Sequence, residues 1–157
     1  MSRRDQITMS DEEVLGFLAD ERIMTCASFG PRGWPHLMPL WYVVREGTLW
    51  SWTYAKSQKV KNLERDARCT LQVEAGRDVY HELHGVMFEC QAAIHRDLET
   101  VAGVGMELAG RYGDSSGEPS ADMRAAFEQQ AAKRVALEFN ERRRATWDHR
   151  KLGSATY

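Results

Sequence analysis

The chain has 157 residues, 43% of them hydrophobic, enough to bury one core without disulfides, and a single domain over residues 1–157 is expected. Its 21 basic and 23 acidic side chains leave a formal charge of −2, which excludes the overall positive field that holds nucleic acid or an anionic membrane. Three scattered cysteines, Cys26, Cys69 and Cys90, exclude a paired disulfide framework, and with no apolar signal core or 18-residue apolar run the expectation is a cytoplasmic, non-membrane protein.

Ser10 and Glu13 form a capping-box pattern, and Val14, Leu15 and Leu18 continue it as a short helix to about Asp20. Ile23 to Phe29 reads as a strand that reaches a turn at Gly30-Pro31-Arg32-Gly33. A second strand is expected from Trp34 to Val44, and after the Glu46-Gly47 turn a third from Thr48 to Thr53. Ser57 opens a short helix. Cys69, Leu71 and Val73 alternate with polar residues as a half-buried strand does, and Val86, Phe88, Cys90, Ala92 and Ile94 repeat the period. From Leu98 through Val101, Ala102, Gly105, Leu108, Ala109 and Tyr112 the period becomes helical, with Asp97 as the cap. A polar loop over Gly113 to Pro119 precedes a helix capped by Ser120 that carries Met123, Ala126 and Phe127. A last strand begins near Val135 with Leu137 and Phe139 inward.

Consecutive strands with helices inserted late, and no βαβ alternation, imply a mainly β, α+β architecture of about six antiparallel strands, closed or split as a barrel. Neither G-x-G-x-x-G after a strand nor G-x-x-x-x-G-K-[ST] occurs. Any cofactor phosphate must therefore be held by lysines and hydroxyls.

Those groups are concentrated between Ser51 and Leu63. Lys56, Ser57, Lys59, Lys61 and Asn62 stand where a strand becomes a helix, and a helix start offers unpaired N–H groups to an anion. Trp50 and Trp52 precede it as apolar walls. In Trp34-Pro35-His36-Leu37-Met38-Pro39-Leu40-Trp41-Tyr42, Pro39 cannot donate to a ladder and so implies an edge, a bulge or a gap that admits a flat ring. An edge strand with core aromatics explains the same residues. His36, His81, His84, His95 and His149 lack metal-ligand spacing, and the cysteines read as buried structural thiols. Arg142-Arg143-Arg144 reads as a solvated strand end or an anion contact. The closing Trp147-Asp148-His149-Arg150-Lys151-Leu152 is dense in polar and aromatic chemistry for a terminus, and reads either as a fraying end or as a segment that folds back over a pocket or a neighbouring subunit.

Together, Trp34-Pro35-His36-Leu37-Met38-Pro39, Thr53 with Lys56-Ser57-x-Lys59-x-x-Asn62-Leu63, and the Trp147 to Leu152 motif resemble the pyridoxamine 5′-phosphate oxidase-like split β-barrel superfamily (the FMN-binding split barrel), over nearly the whole chain. The terminal motif is most similar to its flavin/deazaflavin oxidoreductase branch that uses coenzyme F420. The resemblance implies a six-stranded split barrel and a homodimer with a cofactor at each subunit interface. It implies that Lys59 grips the phosphate, with Lys56, Ser57 and Asn62 nearby and Thr53 below, and that the ring lies against Met38, Pro39, Leu40 and Trp52. Tyr80, Trp147 and His149 are the candidates for contacting substrate or entering a partner's pocket. Where many relatives have an arginine before the lysine segment, this chain has Ser57 or Gln58.

The implied activity is hydride transfer between F420 and a small unsaturated substrate, with the cofactor supplying the chemistry and no catalytic side chain required. The alternatives are an FMN-dependent oxidoreductase of the same fold and a non-catalytic cofactor- or haem-binding carrier. An F420 tail carries carboxylates beyond its phosphate, for which Lys56, Lys59, Lys61 and Arg65 are the sequence candidates.

Overall fold

A computed structural model describes residues 2–113 and 120–153. Apart from Gly113, the expected polar loop lies outside the described residues. Helices α1 (Arg3–Gln6) and α2 (Asp11–Asp20) open the chain, followed by strands β1 (Met24–Phe29), β2 (Pro35–Leu40), β3 (Val43–Arg45) and β4 (Thr48–Tyr54). After α3 (Gln58–Arg65) come β5 (Arg68–Ala75), β6 (His84–His95), α4 (Leu98–Tyr112), α5 (Ala121–Ala131) and β7 (Arg134–Asp148). Single 3₁₀ turns lie at Tyr80–Glu82 and His149–Leu152.

The capping box at α2 forms as its residues predict: Ser10 Oγ accepts from the Glu13 N–H, and Glu13 Oε2 accepts from the Ser10 N–H. Its inward stripe is Val14, Phe17 and Leu18, whereas Leu15 faces solvent. Helix α1 was not expected, although Ser2 and Asp5 form a capping box of the same kind. Along α5 only Ala131 is buried, and Met123 and Ala126 are exposed.

The strands form one antiparallel sheet in the order β2-β1-β5-β6-β7-β4-β3. There are seven because the single strand expected over Trp34 to Val44 breaks at Trp41-Tyr42. That break defines the architecture. Strands β2 and β3 occupy opposite edges of the sheet yet are joined by only two residues, so the sheet must curl until its edges meet. The wall stays open where the edges do not pair, which makes the barrel a split one.

Inside lie Met24, Leu71, Val73, Val86, Leu137 and Phe139, plugged by Val14 and Leu18 of α2 and by Val60 and Leu63 of α3. A second apolar cluster sits outside the wall. Val101, Ala102, Val104 and Leu108 of α4 cover Val43, Ala136, Trp50 and Trp52 there. On β7 one extra residue relative to β6 makes a bulge opposite Glu89 and Cys90. Among the described residues no helix is long and apolar enough to cross a membrane.

Candidate functional site

Strand β4 alternates strictly, with Leu49, Ser51 and Thr53 buried inside and Trp50, Trp52 and Tyr54 turned outward. Its pairing with β3 ends at Trp50, while β7 accompanies it to Tyr54. From Ser51 onward, therefore, one edge of β4 faces the gap. Ser51 Oγ donates across it to the Trp41 carbonyl at 2.7 Å. A cleft of about 350 Å³ opens beside this bridge, lined by Ile23, Pro39, Leu40, Trp41, Ser51 and Trp52. Pro39, on the edge strand, pairs with Thr25 of β1.

The lower end of the gap is the strand-to-helix junction. The Ser57 N–H donates to the Tyr54 carbonyl at 3.0 Å, and Ser57 is the N-cap of α3. Its hydroxyl does not close on the helix, as capping serines usually do, and the buried Oγ has no partner. Lys59, within the first turn, is buried, and its Nζ donates to Thr53 Oγ1 at 3.0 Å. Among the described residues it makes no ion pair. Burial lowers the pKa of this ammonium below the ordinary lysine value, a loss that the nearby Cys26 partly offsets. The Cys26 pKa is itself lowered, first by its hydrogen bond with Cys69 and then by the Lys59 charge. Asn62 is fully buried, donating to Ser28 Oγ at 3.0 Å and accepting from Gln58 Nε2 at 2.9 Å. Lys56 and Lys61 are exposed, and Arg65 donates to the Phe29 carbonyl.

A buried cation without a carboxylate, an unpartnered hydroxyl and a helix start with no acidic residue in its first turn converge here. Such a donor set suits a phosphate. The residues present therefore fit the phosphate end of a flavin-type cofactor, and the cleft above is of a size to receive a flat ring.

Other sequence candidates lie elsewhere. Met38 is mid-strand opposite Cys26, exposed and outside the cleft lining. Tyr80, Trp147 and His149 gather at the other end of the barrel. Strand β5 measures the separation: Cys69 pairs with Ser28, the partner of Asn62, whereas Ala75 pairs with His84, which pairs with Asp148. Six residues of strand span about 20 Å. At that far end Trp147 lies over Gly85, the Tyr80 and His149 rings are 4.9 Å apart, and the His149 N–H donates to the Leu83 carbonyl. The terminal motif thus folds back on its own chain beside a second cleft, of about 490 Å³, lined by His81, Glu82, His84 and Arg150 among others. The arginine run is occupied: Arg142 donates to Gln91, and Arg144 pairs with Glu141 and Asp11.

Sequence reasoning missed the clamp that holds the split. Tyr112 accepts from the Tyr42 N–H at 3.1 Å, donates to the Tyr42 carbonyl at 2.8 Å, and stacks on Trp41 at 4.6 Å. The Tyr42 hydroxyl in turn reaches the Leu18 and Glu21 carbonyls, which Arg111 also contacts. No local motif announces a contact between residues 70 positions apart.

The sequence pattern of pyridoxamine 5′-phosphate oxidase matches residues 10–147. Among solved structures, the chain is similar to a conserved hypothetical protein from Mycobacterium tuberculosis, with 38% identity, a TM-score of 0.89, and coverage of 100% of this chain and 96% of the other. An F420 reductase shares the fold at 19% identity and a TM-score of 0.63, over 83% of this chain and 94% of its own. A haem storage protein from Vibrio cholerae shares it at 13% identity and a TM-score of 0.64, over 84% of this chain and 89% of its own. No curated protein matches the chain.

Proposed function

The chain belongs to the pyridoxamine 5′-phosphate oxidase family, and from that premise we propose that it is an F420-dependent oxidoreductase transferring a hydride between the deazaflavin and a small unsaturated substrate. The observation that carries a phosphorylated cofactor is Lys59, a buried ammonium that among the described residues meets only the Thr53 hydroxyl, beside the unpartnered Ser57 hydroxyl. Similarity to an F420 reductase and the Trp147 to Leu152 motif favour the deazaflavin over FMN.

When bound, the cofactor would supply the hydride donor or acceptor. The chain's own residues would hold and orient it. Lys59, Ser57 and the α3 N-terminus would take the phosphate, with Lys56 at the rim and Asn62 keeping the junction rigid through Ser28. Pro39, Leu40 and Trp52 would bound the ring, Met38 lying on the same edge strand. An anchored phosphate makes ring placement a unimolecular matter, which is where such sites gain rate.

A homodimer is part of the proposal. Edge strand β2 and its flanks expose Trp34, Leu37 and Trp41, at 76%, 58% and 56%, an apolar surface suited to a second copy. Tyr80, Trp147 and His149, remote from Lys59 in their own chain, would reach a substrate only from a partner.

The test is titration of the wild type and Lys59→Ala with F420 and with FMN, followed by reduction assays on enones, quinones and tetrapyrroles. Saturable F420 binding that Lys59→Ala weakens supports the reading. Equal binding by Lys59→Ala removes the phosphate assignment, FMN binding alone moves the protein to the alternative cofactor, and binding of F420 or haem without turnover makes it a carrier.

A further inference from the structure

His36 stands on the lip of the gap that faces the strand-to-helix junction. The Ser51 hydroxyl, bonded to the Trp41 carbonyl, closes the upper end of the gap. From that bridge β4 descends through Thr53 to Ser57, while β2, followed backwards, descends through Pro39 to His36. In the ladder with β1, His36 is the register partner of Ser28, and residues directly opposite in a ladder share a face. Ser28 is buried and its Oγ accepts from Asn62 Nδ2 of α3, so the shared face is the barrel interior. His36 is accordingly half-buried on a strand whose Pro35, Leu37, Met38 and Pro39 are exposed.

Its Nδ1 is buried and has no partner among the described residues. A buried imidazole nitrogen left unpaired costs free energy that a ligand can return. The same holds for Ser57 Oγ on the facing lip. Two other polar side chains of α3 are already occupied: Arg65 donates to the Phe29 carbonyl, and Asn62 is bonded to Ser28 and Gln58. The unsatisfied atoms at the lower end of the gap therefore come from both sides of it, one from β2 and one from the start of α3.

We propose that His36 is a further donor to the cofactor phosphate, reaching it from β2, so that the phosphate is held from both lips of the split. The inference rests on the phosphorylated-cofactor reading above and is independent of which ring the phosphate carries. A neutral imidazole has one N–H and can present it at Nδ1, where a phosphate oxygen accepts it as a charge-assisted hydrogen bond. Bound in this way, the phosphate joins β2 to α3 where no strand pairing does, and closes the lower end of the gap as Ser51 closes the upper.

The experiment titrates the wild type, His36→Leu and His36→Asn with F420 and FMN, and with the unphosphorylated deazaflavin and riboflavin that correspond to them. Leucine removes the nitrogen, whereas the asparagine amide places a donor near the position of Nδ1. His36→Leu is expected to lose about tenfold in affinity for the phosphorylated form that binds and nothing for its unphosphorylated counterpart, and His36→Asn to recover most of that loss. Since Nδ1 is unpaired in the free protein, the urea midpoint of His36→Leu without cofactor should be no lower than that of the wild type. Equal losses for both forms, or a lower midpoint with unchanged affinity, make His36 a structural residue and overturn the proposal. Wild-type affinity for the phosphorylated form in His36→Leu overturns it too and leaves the Lys59 assignment intact. A wild type that binds neither phosphorylated form, or binds each no better than its unphosphorylated counterpart, removes the phosphate reading and the role of His36 with it.

Discussion

Lys59 Nζ donates to Thr53 Oγ1 across 3.0 Å in the barrel interior, and among the described residues no carboxylate balances its charge. A buried ammonium left this way costs stability that an anionic ligand can return. Lys59→Met is therefore expected to weaken phosphorylated-cofactor binding by about 100-fold while leaving folding stability unchanged or higher. Cofactor titration and urea unfolding read the two effects separately. Lower stability with unchanged affinity would make Lys59 a structural residue.

The same ammonium sets an alkaline signature. Burial lowers its pKa below the ordinary 10.5, so between the folded and unfolded values the unfolded chain holds a proton that the native chain has released. Stability from this group rises with pH across that window, as the burial penalty on the charge is relieved. Phosphate affinity runs the other way and falls as pH climbs through the lowered folded value. Urea midpoints and Kd measured from pH 8 to 10.5 should show both trends in the wild type, and neither should persist in Lys59→Met.

Tyr112→Phe removes the acceptor for the Tyr42 N–H and the donor to its carbonyl while keeping the ring on Trp41. A loss of about 1–3 kcal/mol is expected from the unmade hydrogen bonds. The same change should weaken cofactor binding, because Trp41 and its Ser51 contact line the cleft. Chemical unfolding and titration of one preparation measure both.

Gly105 lets α4 approach the sheet. A Cβ there would stand 2.4 Å from Trp52 Cζ3, so Gly105→Ala must push the helix or the indole aside. Overpacking of this kind costs about 1–3 kcal/mol. A changed tryptophan emission together with a lower urea midpoint is the expected result, and a neutral substitution would show that the contact yields freely.

Asp148 is nearly buried and accepts from Arg150 Nε at 2.8 Å and from the Arg150 N–H at 3.1 Å. These contacts, the guanidinium foremost, hold its pKa below 3.8. A depressed carboxylate stabilises the fold above its unfolded value, and the contribution disappears as pH falls through the folded one. Asp148→Asn should cost about 1 kcal/mol at pH 7, a figure kept small by the exposed guanidinium. Wild type and variant should converge in denaturant titrations as pH falls through the lowered folded value.

At the candidate site, the sequence showed a strand-to-helix junction rich in lysine and hydroxyl groups, because capping and charge are local properties of consecutive residues. It did not show which lysine is buried. Lys56, Lys59 and Lys61 are equivalent in composition; the family resemblance pointed to Lys59, and its packing against Thr53 and Cys26 shows that it is the buried one.

What the sequence determined by itself was the class of the fold: period-two runs, a proline-bearing edge, capped helices and the absence of βαβ alternation already demand an antiparallel barrel, because each is set by neighbours within a few residues. The tertiary structure decided the rest. The expected strand over Trp34 to Val44 had to break at Trp41-Tyr42, since its halves lie on opposite edges of a curled sheet, and the Tyr112 phenol braces that break from 70 residues away. A gap in a wall is a relation between edges, and no single segment contains it.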